Sequence, residues 1–348
     1  MRVILVERLA PGEQSRLNEL QALAETLNYE VVGTLQQVRN PDPAYQIGKG
    51  KAKELAELVK ATGAEMVVFR NQLTPSQAHK LSRLVGVEVV DRFQIVLEIF
   101  AMRAGSPEAK LQIEYARLKY ELPKIREQIK ALLSAEQPGF RGGGEYEVNV
   151  RYDMVKRRLA TLRKKLKSIE KTREERRKFR RKRGFKLVAL AGYTNSGKST
   201  LLNALTDANA EVDDMYFTTL MPRTRALKAS KMILLTDTVG FIDDLPPWLF
   251  EAFKATLEEI YLADLVVLMV DASDSVPEII RKLRTSQKIL AEYSVKTITA
   301  LNKIDLITKE DLERKMEVLH SMTSTLVPIS AVRGTNLNVL LESIRAHT

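Results

Sequence analysis

The segment with the clearest chemical potential is a glycine-rich turn that follows a short apolar run. Residues 187–191 are apolar, and residues 192–199 read Gly-Tyr-Thr-Asn-Ser-Gly-Lys-Ser. This is the pattern of a loop whose backbone N–H groups wrap a phosphate at the start of a helix. Lys198 would bring a positive charge to the β- and γ-phosphates, and Ser199 a hydroxyl ligand to Mg²⁺. The spacing therefore predicts a nucleoside triphosphate site.

The tetrapeptide Asp237-Thr-Val-Gly240 follows another apolar run and adds a second element of phosphate chemistry. A carboxylate at a strand end can hold the hydration shell of Mg²⁺, and the glycine N–H can reach the γ-phosphate. The next residue is Phe241, where many phosphate-loop hydrolases carry a glutamine that orients the attacking water. Because a phenyl ring cannot orient water, the sequence predicts slow intrinsic hydrolysis that depends on a group supplied from elsewhere.

Residues 217–222, Phe-Thr-Thr-Leu-Met-Pro, lie between these two motifs and offer a further ligand for a metal ion. One threonine can close over Mg²⁺ when the γ-phosphate is present. Thr219 is the expected ligand, and Thr218 is the alternative. The expected magnesium site therefore consists of Ser199 and Thr219, with Asp237 acting through water.

The sequence Asn302-Lys-Ile-Asp305, again at the end of an apolar run, selects the base. Guanine presents two neighbouring donors, N1–H and the 2-amino group, and the Asp305 carboxylate can accept both. Adenine lacks this pair and would leave the carboxylate unsatisfied. The Lys303 stem can lie along the base, Asn302 can bridge base and phosphate loop, and Ser330-Ala331 fit a backbone contact to the guanine oxygen. The motifs together predict GTP over ATP.

The motifs assign each candidate residue of this site. The expected GTP-binding residues are Gly192, Tyr193, Thr194, Asn195, Ser196, Gly197, Lys198, Ser199, Thr200, Phe217, Thr218, Thr219, Asp237, Thr238, Val239, Gly240, Asn302, Lys303, Asp305, Ser330, Ala331 and Val332. The expected catalytic residues are Lys198, Thr219, Gly240 and Asn195. Two roles stay open for Asn195: its amide helps to bind K⁺ that offsets charge between the α- and γ-phosphates, or it hydrogen-bonds only within its own loop.

Strand–helix alternation over residues 184–348 predicts the frame that positions these motifs. Apolar, β-rich runs occur at 186–190, 226–229, 232–236, 265–270, 297–301 and 326–329, and helix-period stretches at 198–205, 247–262, 277–293, 309–321 and 336–345. Such alternation is typical of a doubly wound α/β sheet, in which ligands bind at the carboxyl ends of the strands. We therefore expect the P-loop GTPase fold for this domain.

Residues 1–104 show the same alternation on a smaller scale. Strand-like runs occur at 3–6, 30–35, 65–69 and 88–90, and helix-period stretches at 13–27, 51–61, 75–85 and 93–101. The pattern predicts a small parallel α/β subdomain. Gly48-Lys-Gly-Lys51, at a helix start, could anchor a second nucleotide, but an ordinary loop with solvated lysines is the preferred interpretation.

Residues 105–183 differ from both flanking regions, because they carry two heptad seams. The seams are Leu111, Tyr115, Leu118, Leu122, Ile125, Ile129 and Leu132, and then Val155, Leu159, Leu162, Leu166 and Ile169. Between them, residues 138–144 read Pro-Gly-Phe-Arg-Gly-Gly-Gly, which no helix should tolerate. We therefore expect an antiparallel helical hairpin, with a kink or break at Pro123 inside the first helix.

The net charge of +11 is concentrated on the second helix of this hairpin. Of the 55 basic and 44 acidic residues, the stretch 156–186 holds 17 basic and 3 acidic ones. A block of this density favours a polyanion partner, most often nucleic acid, over a solvated helix face. The expected RNA contacts are Arg141, Arg173, Arg176, Arg177, Lys178, Arg180, Arg181, Lys182 and Arg183.

Composition narrows the class of protein. The chain has no cysteine, which excludes disulfides and thiolate metal sites and fits a cytoplasmic protein. No apolar run approaches the ~18 residues that a membrane span needs, and the N-terminus reads as a strand and not as a secretion signal. A membrane partner is not expected, since the narrow apolar seams of the hairpin must face each other.

The motifs, together with several sequence segments in the first half of the chain, resemble those of the HflX family of ribosome-associated GTPases. The resemblance extends over nearly the whole chain. The first-half strings include Ile47-Gly-Lys-Gly-Lys51, Leu73-Thr-Pro-Ser-Gln77 and residues 111–123, LQIEYARLKYELP; in the second half, residues 237–242, DTVGFI, are characteristic. The resemblance implies binding to the large ribosomal subunit, a hairpin that reaches toward ribosomal RNA, and a role in splitting or rescuing ribosomes. High Lys and Arg content without Cys suits an archaeal member.

Two classes of function are therefore weighed. The first is an RNA-dependent GTPase that acts on ribosomes. The alternative is a non-ribosomal GTPase switch whose hairpin binds a protein or another polyanion. In either case a monomer is expected, because the two seams satisfy each other within one chain.

Overall fold

The computed structural model describes residues 1–135, 143–207, 223–238, 240–241, 260, 262–291 and 295–348. The chain divides into two compact units. The first comprises Met1–Met102 and Lys110–Leu166, and the second Arg103–Ala109 and Lys167–Thr348. Within the described residues, each unit contains a sheet of its own, of four strands in the first and six in the second.

The sheet of the first unit is parallel throughout. Its strands are β1 Arg2–Leu9, β2 Glu30–Val38, β3 Met66–Phe69 and β4 Glu88–Asp91, in the order β2-β1-β3-β4. The helices that follow the strands are α1 Leu17–Thr26, α2 Lys49–Thr62, α3 Pro75–Val85 and α4 Arg92–Arg103. Strand residues such as Ile4, Val6 and Phe69 are buried with Leu55 and Leu81 of the helices. The predicted small parallel α/β subdomain is therefore confirmed.

Local hydrogen bonds fix where α3 begins. The Thr74 hydroxyl accepts from the Gln77 N–H, and the Gln77 side chain accepts from the Thr74 N–H, with Pro75 as the first helical residue. This reciprocal cap satisfies two donors that a helix start otherwise leaves unpaired.

Two long helices come next, α5 Pro107–Ala135 and α6 Gly143–Lys182. Within the first unit, Arg158 of α6 donates to both carboxylate oxygens of Glu114 of α5, at 2.6 and 2.9 Å, so the helices lie side by side. Leu159 and Leu162 of the second predicted seam are buried. The helical region thus has the two elements that the heptad pattern predicts.

Two details of that region differ from the sequence predictions. Of the kink or break predicted at Pro123, the break is absent, because α5 continues through it. A proline inside a helix costs ~3 kcal/mol, which the burial of neighbours such as Tyr115 and Ile125 can offset. Gly143 and Gly144 begin α6 and are not part of a loop; the first turn of a helix tolerates them, since its N–H groups lack helical partners anyway. Residues 138–142 lie outside the described part.

The buried face of α5 is also wider than the predicted seam. Gln112, Ile113 and Ala116 are buried, as are Tyr115 and Ile125 of the predicted seam. The Tyr120 hydroxyl donates to the Asp91 carboxylate at the end of β4, and Asp91 also accepts two backbone N–H groups. Burial raises the pKa of Asp91 above its ordinary value. The helix therefore packs against the sheet as well as against α6, which a heptad pattern cannot show.

The strands of the sheet in the second unit are β5 Lys186–Gly192, β6 Arg223–Leu227, β7 Ser230–Asp237, β8 Leu265–Asp271, β9 Thr297–Asn302 and β10 Leu326–Pro328. Their order in the sheet is β10-β9-β8-β5-β7-β6. Only β6 runs antiparallel to its neighbour. The described helices are α7 Lys198–Leu205, α8 Val276–Ala291, α9 Lys309–His320 and α10 Leu337–His347.

Alternate residues of β5 face opposite layers, which makes the sheet doubly wound. Val188 and Leu190 are buried in one core cluster with α7 and α10, whereas Ala189 and Ala191 are buried in another with α8 and α9. Because both faces are covered, the strand reads as a continuous apolar run. The predicted P-loop GTPase fold is confirmed.

Some predicted boundaries in this unit were wrong. The strand expected at 226–229 begins earlier, at Arg223, and Lys228 and Ala229 form the tight turn to β7. A two-residue turn between antiparallel strands has no hydrophobic pattern of its own, so the sequence does not mark where the strand ends. The helix expected at 247–262 falls almost entirely outside the described residues. Among the described helices, none has the length and apolar content that crossing a membrane demands.

Candidate guanine-nucleotide site

The phosphate loop joins the central strand β5 to α7 through a tightly wound turn. Gly192, Asn195 and Gly197 have φ angles of 141°, 61° and 88°. A Cβ atom on Gly192 would lie 2.4 Å from the Met269 carbonyl oxygen, and one on Gly197 would lie 2.2 Å from Asn302 Nδ2. Both glycines are therefore required by close approach as well as by their left-handed backbone.

Lys198, the first residue of α7, points back into this loop. Its Nζ donates to the carbonyl oxygens of Gly192 at 3.1 Å and Tyr193 at 2.7 Å, and the residue is 7% exposed. Burial lowers the pKa of Lys198 to about 8; the Asp237 carboxylate opposes this shift, and the positive charge of Lys303 adds to it. A phosphate group bound in the loop would add negative charge beside this ammonium and raise its pKa.

Ser199 and Asp237 come together as the metal-site prediction requires. The Ser199 hydroxyl donates to Asp237 Oδ2 at 2.6 Å, and both residues are buried. A hydroxyl beside a carboxylate is an oxygen donor set that suits Mg²⁺. The third expected ligand, Thr219, lies outside the described residues, as do Phe217, Thr218 and Val239.

Residues 240 and 241 run alongside the phosphate loop like a short strand. The Phe241 N–H donates to the Gly192 oxygen at 2.9 Å, and the Thr194 N–H donates to the Phe241 oxygen at 3.1 Å. A Cβ on Gly240 would lie 2.8 Å from the Thr194 backbone, so only glycine fits there. These contacts place the Gly240 backbone beside the phosphate loop.

The Phe241 ring faces the protein core. It is 1% exposed and packs edge-on against the Tyr193 ring, with centroids 6.5 Å apart. Tyr193 is itself buried, with Arg281 and Lys282 of α8 over its ring at 5.8 and 5.7 Å. Since both rings are committed to packing, Tyr193 offers a nucleotide its backbone, and Phe241 has no polar group for water.

Asn302 links the phosphate loop to the loop after β10. Its Nδ2 donates to the Ser196 oxygen, and its Oδ1 accepts from the Ala331 N–H, each at 2.9 Å. Asp305 Oδ1 accepts from the Ser330 hydroxyl at 2.6 Å. The expected base-binding motifs are therefore in direct contact with each other, and Val332, 74% exposed, lies at their edge.

Lys303 has a backbone φ of 67°, and its Nζ lies 2.6 Å from Asp271 Oδ2. Asp271, the last residue of β8, was not among the residues predicted from sequence. Neither was Lys315, whose buried Nζ donates to the Ala272 oxygen at 2.8 Å. A carboxylate directly after the apolar run 265–270 was the one available signal, the same signal that identified Asp237.

The expected RNA contacts that fall within the described residues lie on α6 or directly after it. The Lys178, Lys182 and Arg183 side chains are exposed, and Arg180 is half-buried. Only the backbone is described for the remaining helix positions, Arg173, Arg176, Arg177 and Arg181, and Arg141 lies outside the described residues.

The loop Gly48–Lys51, the candidate anchor of a second nucleotide, already has internal partners. The Gly48 N–H donates to Gln37 Oε1 at 2.8 Å, and Lys51 pairs with Glu54 at 2.7 Å. These contacts favour an ordinary helix start.

We expect Gly197→Ala to lower GDP affinity at least about tenfold, because the new methyl would displace Asn302 and break a buried hydrogen bond. Gly184→Ala is the matched control: its φ is 77°, but its nearest neighbour is a flexible Met232 methyl at 3.4 Å. The control should lose ~1–2 kcal/mol of stability to backbone strain and keep its GDP affinity. Calorimetric titration with thermal unfolding checks both variants, and equal GDP affinities would contradict the packing argument.

GDP binding should also take up protons at mildly alkaline pH. The Lys198 pKa of about 8 rises when phosphate holds the ammonium, so uptake is small at pH 7 and increases as the pH rises through 8. Titration calorimetry in two buffers of different ionisation enthalpy measures this number at each pH. Uptake that stays constant across this range would contradict the assignment of Lys198.

Three family models match successive parts of the chain. Residues 14–101 match a model described as GTP-binding GTPase N-terminal, residues 103–180 one described as GTP-binding GTPase Middle Region, and residues 187–303 one described as 50S ribosome-binding GTPase. Together they cover most of residues 14–303, which leaves β1 and β10 outside the matched ranges.

Full-length relatives and solved structures agree with these matches. The GTPase HflX of Methanocaldococcus jannaschii is 45% identical, with 99% of this chain and 86% of the relative covered. The GTPase HflX of Escherichia coli is 35% identical, with 94% and 78% covered. A crystal structure of a GTP-binding protein from Sulfolobus solfataricus in complex with GDP is 30% identical, with 99% and 98% covered and a TM-score of 0.51. The chain therefore belongs to the HflX family of GTPases.

Proposed function

We propose that this GTPase acts on ribosomes in the cytoplasm. It associates with the large ribosomal subunit when GTP is bound and takes part in splitting, rescue or recycling. Hydrolysis by the isolated protein is slow, and the ribosome stimulates it. The observation that carries this proposal is the basic surface of α6; the description of one matching family model as a 50S ribosome-binding GTPase supports it.

Exposed basic side chains follow α6 over most of its length and continue just beyond it. They include Lys156, Arg157, Arg163, Lys164, Lys165, Lys167, Lys171, Lys178, Lys182 and Arg183. Such a row of cations releases counterions from a phosphate backbone, which drives binding and makes it depend on salt. Ribosomal RNA is a polyanion of the required length, so α6 is the proposed contact.

The base subsite recognises guanine through Asp305. Its carboxylate accepts hydrogen bonds from N1–H and the 2-amino group, which replace the hydrogen bond from the Ser330 hydroxyl. Lys303 lays its stem along the base, and Asn302 holds the subsite at a fixed distance from the phosphate loop. Guanine offers two adjacent donors to replace the Ser330 hydroxyl on this carboxylate and adenine does not, so the site selects GTP.

At the other end of the nucleotide, Lys198 turns its donors from backbone carbonyls to the β- and γ-phosphates. Ser199, Thr219 and, through water, Asp237 would hold Mg²⁺, which neutralises charge on the phosphates when bound. The Gly240 N–H reaches the γ-phosphate. Hydrolysis removes that phosphate and would therefore release Gly240 from the nucleotide.

Slow intrinsic hydrolysis follows from the position of Phe241. Its ring is buried against Tyr193, so no side chain at this position orients the attacking water. A group from the partner, or a rearrangement that the partner induces, must supply that function. The factor therefore stays in its GTP state until it meets the ribosome.

Co-sedimentation with purified large subunits tests the proposal. We expect retention with a non-hydrolysable GTP analogue but not with GDP, and GTP turnover that rises at least ~100-fold when subunits are added. Equal retention in both nucleotide states, or turnover that subunits do not change, would favour a non-ribosomal switch.

The contribution of α6 is tested by replacing Lys178, Lys182 and Arg183 with glutamine. Each phosphate contact that is lost should lower the slope of log affinity against log salt by about 1. The control replaces Lys53, Lys60 and Lys80, which are also exposed but lie on α2 and α3, and removes the same charge. If both triple variants lose the same affinity for subunits, net charge and not α6 determines binding.

Asn195 supports a proposed K⁺ site beside the phosphates. It adopts a φ of 61°, and its exposed side chain makes no hydrogen bond to another described residue, so the amide is available to a ligand. We expect GTP turnover to be at least about tenfold faster in KCl than in NaCl at equal ionic strength, and Asn195→Ala to abolish the difference. Equal wild-type rates in the two salts would reject the cation.

A further inference from the structure

We propose that Asp271 is a positioning residue of the guanine subsite: its carboxylate fixes the Lys303 ammonium so that the lysine stem is in place before the base arrives. The inference rests on the proposed base subsite and adds a residue to it. The observation behind it is the 2.6 Å contact between Lys303 Nζ and Asp271 Oδ2.

The sheet brings Asp271 to the base motif. Asp271 ends β8, and its register partner on the neighbouring strand β9 is Asn302, the first residue of the base motif. The Ala272 N–H donates to the Asn302 oxygen at 2.7 Å, which extends the pairing past the strand end. The carboxylate therefore leaves the sheet beside Lys303, on a strand that contributes no other predicted base contact.

The carboxylate is held by its own turn. Asp271 Oδ1 accepts from the Ser273 N–H at 2.9 Å and from the Ser273 hydroxyl at 2.6 Å, which leaves Oδ2 for the lysine. The buried Lys315 ammonium donates to the Ala272 oxygen and fixes the next residue of the turn. An acceptor fixed in this way is preorganised, so Lys303 alone has to be ordered.

The backbone of Lys303 gives it a reason to need such a partner. Its left-handed conformation, with a φ of 67°, is unfavourable for a residue with a side chain. Asp271 pairs with the ammonium and holds it at one place, while the aliphatic stem stays free to contact the base.

The side chains of this pair are only 20% and 15% exposed, so solvent screens the attraction less than it would at the surface. A lysine stem that is already ordered loses less entropy when a base stacks on it. Asp271 should therefore affect the affinity for the base and leave the phosphate subsite alone.

Equilibrium titrations of the full chain with GDP and with inorganic pyrophosphate test this inference. Asp271→Asn should weaken GDP binding about tenfold and leave pyrophosphate binding unchanged. The matched control is Asp274→Asn, since Asp274 lies in the same turn but pairs with Lys282 at 2.7 Å. It should change neither affinity. A parallel loss of pyrophosphate binding in Asp271→Asn would mean that the residue only maintains the loop, and would overturn the proposal.

A double-mutant cycle shows whether Asp271 acts through the lysine. Lys303→Met keeps the stem and removes the charge, so adding Asp271→Asn to it should cause no further loss of GDP affinity. An additional tenfold loss would contradict the inference.

The base subsite itself is tested separately with Asp305→Asn. Xanthine has a carbonyl where guanine has its 2-amino group, so this variant should prefer XDP to GDP. If it does, and Asp271→Asn still leaves nucleotide affinity unchanged, only the role of Asp271 fails. If Asp305→Asn leaves the preference for GDP unaltered, the proposed base subsite fails.

Discussion

The side chain of Asn302 joins the two halves of the nucleotide site, and most other site residues are positioned relative to it. Its Nδ2 donates to Ser196 in the phosphate loop, and its Oδ1 accepts from Ala331 in the loop after β10. At 2% exposure, with both ends of the amide engaged, it holds these loops at one separation. The absence of a side chain at Gly197 follows from the same constraint, because a Cβ there would overlap the amide.

The sheet delivers the remaining groups to that point. Leu190 and Asp237 are register partners, as are Gly192 and Met269, and Asp271 and Asn302. Four parallel strands therefore end at one edge, where Asp237, Asp271 and Asn302 lie and the phosphate loop begins. Motifs that are far apart in the chain converge on one site for this reason, and the rule is simple enough to apply to the sequence alone.

The features that could be predicted from the sequence are those that local patterns determine. Apolar runs predicted the strands, and the polar residues at strand ends predicted the phosphate and base motifs. Asp271 obeys the same rule and was overlooked, because a single carboxylate has no motif around it and its meaning comes from Lys303 on another strand. The continuity of α5 through Pro123 and its wide buried face were also unpredictable, since contacts such as Tyr120 with Asp91 join distant parts of the chain.

Most polar side chains of the site have a partner within the protein. Lys198 donates to two carbonyls, Ser199 to Asp237, Ser330 to Asp305, and Lys303 pairs with Asp271. A buried group left without a partner costs ~1–3 kcal/mol, so these internal contacts help to hold the loops of the site in place. Nucleotide binding is then an exchange of partners in which only the difference counts. A contact that persists when the nucleotide binds, such as that of Asp271 with Lys303, costs no binding free energy. Such a contact can fix the geometry of the site without lowering its affinity.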